Sequence, residues 1–492
     1  MTTQSEAPAT KGGQVPLREK ISFAFAEFGS QFIWSTLGTF LLPFFTDVAL
    51  IAPVAAGNIL LVARVLDGIQ DLGFGYIAER TTSRWGRFRP YVIFGAPVVS
   101  ICMILTFTSP FDGQGAKIAW AGVTYVLICF AYTVANMSYG SLAGVMTTDS
   151  GERLTLNWIR SQGGNIASLL LQTVTPFLLV YFVATEAAKD KGFDSRSFLI
   201  TMTIYGLVTL PMFLITGFGV RERITLTPEQ QKVSFRETVK AVVSNSQLVI
   251  IFLFMLMMLI GLFGRIGVML FYARDYLGNP LLMASLMPAF QMGTMAGQFF
   301  LPPLALKLGK RNMLIGSLFS SGAVLLAIFF IGDGQGLAVL TALHFAYGLA
   351  GFAAPIALSM VPDAVDYYED KTGIRADGTS YAAVSLSTKF ASAIGGALTL
   401  YIVGLFGYDG AAQQQTAEVM TGINIAANLM PAIMAFLAII PVLFWKLSTK
   451  KMAEIAAELE VKRAAQADAL AHGLSRDEAE AVAEHAVEEA ES

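Results

Sequence analysis

Charge is what this sequence has least of for its size. Only 14% of its 492 residues are Asp, Glu, Lys or Arg, against 54% that are hydrophobic. Soluble domains carry roughly a quarter charged residues, so the balance excludes an ordinary soluble multidomain protein and points to a polytopic membrane protein. Cysteine is almost absent. Cys102 and Cys129 both lie in apolar runs, which excludes a disulfide scaffold and a cysteine metal site. The three histidines, His344, His472 and His485, lack metal-ligand spacing. No phosphate loop, zinc motif or nucleophile constellation is visible, so enzyme activity, ATP-driven transport within the chain and nucleic-acid binding are not expected, nor is any cofactor.

What is present is a series of long apolar runs. A spanning helix needs about 20 mainly apolar residues. Twelve candidates stand near 22–48, 53–78, 91–109, 118–146, 156–183, 197–219, 247–273, 282–306, 312–331, 337–361, 378–407 and 422–445. The second, fourth, fifth and eleventh are interrupted by polar groups. The expected class is therefore all-α, a polytopic protein of twelve transmembrane helices.

The basic residues orient it. With both termini on the cytoplasmic side, 25 of the 33 Lys and Arg fall on inner segments, five on outer loops (Lys117, Lys189, Lys191, Arg196 and Arg274) and three within helices. Such an inner excess fixes the expected topology. The longest inner connection, 221–245, divides the chain six plus six, and GYIAERTTSRWGR after the second helix has an echo in LALKLGKR after the eighth. Duplicated halves are how many secondary transporters are built. The expected organisation is a flexible N-tail (1–20, with no cleavable signal peptide visible), a six-helix bundle (21–220), a middle loop (221–245), a second bundle (246–447) and an Ala/Glu-rich tail (448–492) of helical character, read as solvated.

The second apolar run carries Arg64, Asp67 and Asp71, spaced i, i+3, i+7 and hence on one helical stripe. At about 2.5–3.5 kcal/mol per charge, three unpaired charges would oppose insertion by about 8–10 kcal/mol, so they face partners or water. Asp71 lies about 13 Å inside the end of the helix at Arg80, at 1.5 Å per residue. Two carboxylates at that depth suit a monovalent cation or a proton. The alternative is an internal Arg64–Asp67 salt bridge that only ties helices together, and the second carboxylate argues against it by leaving an anionic excess. Lys389 and Arg265 also lie deep in apolar runs, and Arg160 sits near the start of the fifth, where it could equally snorkel to the surface. Glu27 and Gln31 share one face of the first helix, as Thr133 and Asn136 do of the fourth.

Two segments carry a family pattern. RVLDGIQDLGFGYIAERTTSRWGRFRPYVIFG (64–95) and MVPDAVDYYEDKTGIRADGTSYAAVSLSTKFASAIGGAL (360–398) resemble the signatures of the glycoside–pentoside–hexuronide:cation symporters. The order of helices is similar over roughly 20–447. The resemblance implies the major-facilitator fold, two six-helix halves around a central cavity. By likeness to the melibiose permease-like members, Asp67 and Asp71 match cation-site carboxylates, Thr133 a hydroxyl there, Lys389 a lysine linked to that site and Arg64 a charged partner. Tyr132 and Arg160 match residues near the sugar pocket.

The departures matter as much. Gln31 and Asn136 stand where those relatives have sugar-binding carboxylates, Gly140 replaces a pocket tryptophan and Leu72 a proline. Galactoside recognition therefore does not carry over, and two amides with Arg265 would suit an anionic sugar such as a hexuronide. The candidate substrate set is Glu27, Gln31, Arg64, Tyr132, Asn136, Arg160 and Arg265. The candidate gate is Glu79, Arg80, Arg84, Arg87 and Arg89 in the basic loop, together with Asp363 and Asp366; topological anchoring alone would also account for the loop. The expected function is import of a sugar, glycoside or hexuronide with Na+ or H+ (Li+ included), by a monomer in a bacterial inner membrane. A lysolipid-type carrier and a drug/proton antiporter on the same fold are the alternatives.

Overall fold

The computed structural model describes residues 15–81, 83–147, 149–184, 188, 191–223, 243–332, 334, 336–372, 377–472 and 482. Most of the expected N-tail and of the middle loop lies outside them. Among the described residues the chain is all-helical. It divides into two compact units, one of residues 1–232, 263–291 and 393–427, the other of 233–262, 292–392 and 428–492.

In the first unit, α1 (Leu17–Pro43) continues into a π-turn at Phe44–Val48, and α2 is Pro53–Arg80, α3 Arg89–Thr106, α4 Gln114–Met146, α5 Ser150–Tyr181 and α6 Ser195–Gly219. The helix starts follow capping chemistry. Asp149 accepts from the backbone N–H of Glu152 at 2.7 Å, and Asp194 forms a reciprocal capping box with Ser197. Pro90 opens α3, where its missing N–H costs nothing. α1 packs on α5 and α6, α3 on α4 and α6, and α2 on α4. Buried hydroxyls tie the packing together. Thr216 of α6 donates to the carbonyl of Ser22 in α1 and accepts from the Ala26 N–H, so backbone groups stay paired where no water reaches.

The chain continues with α7 (Ser246–Phe271) and a π-turn at Tyr272–Tyr276, then α8 (Met283–Leu308), α9 (Lys310–Ile331), α10 (Leu337–Ala350), α11 (Ala353–Thr372) and α12 (Asp377–Leu405). It ends with α13 (Ala417–Asn424), a π-turn at Ile425–Leu429, α14 (Met430–Leu443) and α15 (Thr449–Ala471). Within the second unit α9 packs on α10 and α14, and α11 on α15. Large apolar side chains also point outward, among them Phe94, Phe299, Phe330 and Leu405. Helices apolar on their outer faces as well as their inner ones need a hydrocarbon solvent.

Among the described residues, nine helical stretches are long and apolar enough to cross a membrane, not the twelve expected. The first, second and eighth expected positions do hold helices, α1, α2 and α8. Each carries polar residues in its middle (Glu27 and Gln31; Arg64 and Asp67; Gln291 and Gln298), which lower its hydropathy. The tail also differs from expectation. α15 is not solvated all round: Ile455 and Leu459 are buried, Lys462 pairs with Asp370 at 2.8 Å, and Arg463 reaches Glu369 at 2.6 Å and Asp366 at 3.4 Å.

Candidate functional site

The polar faces of α1, α4 and α5 meet inside the first unit. Glu27 and Gln31 are one turn apart on α1, and Gln31 donates to Glu27 Oε1 at 3.2 Å. Arg160 of α5 donates its Nε to Glu27 Oε2 at 2.6 Å, so Arg160 finds its partner inside the protein rather than snorkelling. Its guanidinium also lies 5.0 Å over the ring of Tyr139. Gly140 leaves this room: a Cβ there would stand 3.6 Å from Arg160 Nη1, so a bulky side chain would crowd the cation. Beside the pair lies a cavity of about 280 Å³ lined by Glu27, Gln31, Ser161, Asn165, Ser168 and Gln291 together with Gly164. Its walls are amides, hydroxyls, a glycine and the Glu27 carboxylate that Arg160 engages. Such groups replace water at a polyhydroxylated solute hydrogen bond for hydrogen bond.

One turn further along α1, Ser30 donates to Asn136 Oδ1 at 2.9 Å and shares a 2.9 Å hydrogen bond with the Tyr132 hydroxyl. Tyr132 stacks on Trp34 with centroids 5.9 Å apart, and Arg64 lies 5.1 Å over Trp34. Arg64 Nη1 in turn donates to Asp67 Oδ2 at 3.4 Å, and Thr133 donates to Asp67 Oδ1 at 3.1 Å. Asp67 is 3% exposed, and a guanidinium and a hydroxyl meet its two carboxyl oxygens in place of water. The structure thus brings together Glu27, Gln31 and Arg160, then Tyr132 and Asn136 through Ser30, and then Arg64, Asp67 and Thr133. The side chain of Asp71 lies outside the described residues, as do those of Leu72, Glu79 and Arg80.

Other predicted residues sit elsewhere. Arg265 is buried in α7 and donates to the carbonyl of Ala427. Lys389 is half-buried in α12. In the basic loop Arg84 lies 5.1 Å over Trp85, Arg87 lies 5.3 Å over Phe88, and Arg89 Nε donates to the Gly217 carbonyl at 2.8 Å. Asp363 pairs with Lys310 at 2.6 Å, and Asp366 faces Arg463 of the tail helix.

Several residues escaped the sequence reading. Ser30 completes an i, i+3, i+4 polar face with Glu27 and Gln31, a signal present in the sequence. Gln291, an amide in an apolar helix, donates to Asn165 at 3.3 Å. Glu222 receives the backbone N–H groups of Arg87, Phe88 and Arg89 at 2.7–2.9 Å and thereby caps α3. Gly86 permits this, with φ +104° and no room for a Cβ beside that carboxylate. Arg274, counted from the sequence as an outer-loop residue, is buried instead. It meets Asp47 at 2.8 Å, Asp275 at 2.7 Å and the Tyr408 hydroxyl at 2.5 Å.

A family model described as MFS/sugar transport protein matches residues 22–449. The chain is 30% identical over 451 residues to the uncharacterized symporter YnaJ of Bacillus subtilis (strain 168), covering 91% of this chain and 95% of that one. It is 29% identical over 456 residues to a glucuronide carrier protein homolog of Escherichia coli (strain K12), covering 92% and 97%. The crystal structure of the nucleoside transporter NupG shares the fold, with a TM-score of 0.61 at 14% identity over 87% of this chain and 100% of that one.

Proposed function

We propose that this chain, which belongs to the MFS/sugar transport protein family, imports a sugar-type solute together with a monovalent cation. Its family and relatives are membrane transporters, not enzymes. The proposal adds the coupling, the site and the topology: twelve helices in two six-helix halves, both termini cytoplasmic, acting as a monomer by alternating access in a bacterial inner membrane.

The observation that carries the reading is the polar cavity beside the Glu27–Arg160 pair, one turn of α1 away from the chain of hydrogen bonds and ring contacts that runs from Ser30 through Tyr132, Trp34 and Arg64 to Asp67. Asp67 is the proposed cation ligand, with the Thr133 hydroxyl and, from the family pattern, Asp71 and Lys389 as its companions. A cation arriving at Asp67 competes with Arg64, and the released guanidinium pulls on Trp34 and, through it, on Tyr132 at the sugar side. Cation and solute then favour each other's binding by the same factor. Arg160, beside the cavity, is already met by Glu27, the one charged residue of the lining, and the rest of the lining is neutral. That composition favours a neutral sugar or glycoside over a hexuronide, because a carboxylate would have to displace Glu27 from Arg160.

Uptake into proteoliposomes tests this, with neutral and acidic sugars in a panel and Na+, Li+ and H+ gradients imposed separately. One neutral glycoside accumulating under one cation gradient is the expected result. Asp67→Asn removes the cation stimulation while leaving counterflow exchange of the sugar measurable. Stimulation that survives Asp67→Asn overturns the cation site, and accumulation of uronides alone overturns the neutral substrate class. Extrusion of amphipathic drugs, or flipping of lysolipids, replaces the whole reading.

A further inference from the structure

We propose that the protein carries a second site, in the other unit, for a phosphate-bearing anion. A cavity of about 560 Å³ is walled by the end of α8, the start of α9 and the segment joining α14 to α15. Five cations line it, Lys307, Lys310, Arg311, Lys446 and Lys450, against a single carboxylate, Asp363. Asp363 is spent on Lys310, which it meets at 2.6 Å. Arg311 is held in place by the carbonyls of Val442 and Leu443, at 3.3 and 2.6 Å, and keeps its full charge. Among the described residues Lys307, Lys446 and Lys450 make no ion pair.

Four positive charges in excess around one hollow repel one another, and an anion seated there relieves the repulsion. The backbone adds to the attraction. α9 begins at Lys310 immediately after Gly309, and Gly309 through Asn312 line the cavity, so the positive end of a 22-residue helix faces it. A phosphate oxyanion is the ligand that uses both parts, because several acceptor oxygens meet lysine ammonium groups and helix N–H groups together.

The place in the fold points to a source. Lys310 opens one membrane-spanning stretch, Lys310–Ile331, and Lys446 stands just beyond another, Ala417–Leu443. The cavity therefore lies at the depth of a bilayer's headgroups, where basic pockets at span ends meet anionic lipid. A soluble phosphate compound shares the same chemistry, and the experiment separates the two.

The full chain is purified in detergent with phosphatidylcholine, and its thermal midpoint is read after adding phosphatidylglycerol, cardiolipin or inorganic pyrophosphate. The comparison is the triple variant Lys307→Gln, Lys446→Gln, Lys450→Gln, whose side chains have no pair to break. If it folds poorly in phosphatidylcholine, Lys450→Gln alone takes its place. Anionic lipid is expected to raise the wild-type midpoint by about 5 °C near saturation and the variant's by less than half as much. A selective wild-type response to pyrophosphate but not to the lipids keeps the site and assigns it to a soluble phosphate. Equal responses of wild type and variant to every anion overturn the proposal, as does an equal rise with additional phosphatidylcholine.

Discussion

Two buried ionic clusters in the first unit use similar side chains to opposite ends. In one, Arg274 reaches Asp47 at 2.8 Å, Asp275 through two nitrogens at 2.8 and 2.7 Å, and the Tyr408 hydroxyl at 2.5 Å; that hydroxyl in turn donates to Asp47 at 2.7 Å. Three segments far apart in sequence are closed on one another, and the Arg274 and Asp47 side chains are only 6% and 1% exposed. In the other, Arg160 meets Glu27 through a single 2.6 Å bond, its side chain stays 31% exposed, and a polar cavity opens beside it. The first cluster spends its hydrogen bonds on itself, apart from Arg274 Nη1, which is buried without a hydrogen-bond partner among the described residues. The second keeps acceptors and donors for something else. A buried charge thus marks a ligand site when it lines a hollow, and a fastening when its partners fill the space around it.

The largest effect expected from this contrast is on the fastening. Arg274→Met leaves Asp47 and Asp275 facing each other without a cation, and removing one partner from a buried ion pair costs about 3–5 kcal/mol. The thermal midpoint of the purified variant should fall by many degrees, with a loss of monodisperse protein on size exclusion. Asp275→Asn in the same background should restore part of the loss, because it removes one stranded charge. A variant as stable as the wild type, but with altered uptake, would erase the distinction between the clusters.

Next in size is Glu27→Gln, where the order of effects reverses. The amide still accepts from Arg160, so the midpoint should move little, by an amount corresponding to about 1 kcal/mol. Uptake of the neutral solute should drop at least tenfold, since the charge of Arg160 is no longer neutralised beside the cavity. The same variant should gain ground on acidic sugars in competition. Stability loss as large as that of Arg274→Met, with uptake intact, would mean that Glu27 is a fastening too.

Much of this was legible before any coordinates. The stripe of Arg64 and Asp67 predicts their contact, because i and i+3 meet on any helix. The apolar runs predict the helices, though not which ones stay apolar enough to span: polar side chains that build the site lower the hydropathy of α1 and α2. What escaped depends on contacts across the chain. Glu27 and Arg160 are 133 residues apart, and nothing local pairs them. Arg274 looked like a loop charge because it stands just before a Gly-Asn-Pro turn, and only its distant partners Asp47 and Tyr408 bury it. Glu222 closes the basic loop from 133–135 residues away. The tail helix reads as soluble by composition, since ion pairs to α11 leave no mark in its hydropathy.

The smallest effect expected is also the sharpest test of the closed cluster. Burial, and then the neighbouring Asp47, push the Tyr408 phenol well above its ordinary value, so it stays neutral and donates throughout the range in which cells live. Tyr408→Phe removes that one donor and leaves Arg274 with both carboxylates. The cost should be about 1 kcal/mol, close to that of one hydrogen bond. Because the phenol does not ionise near neutrality, the variant's uptake should follow the wild-type pH profile between about pH 6 and 8. A pH profile that shifts in Tyr408→Phe would make the cluster a titrating element of transport. An unchanged profile with a slightly lower midpoint leaves it a fastening, and leaves proton or cation traffic to the side of the unit where Asp67 lies.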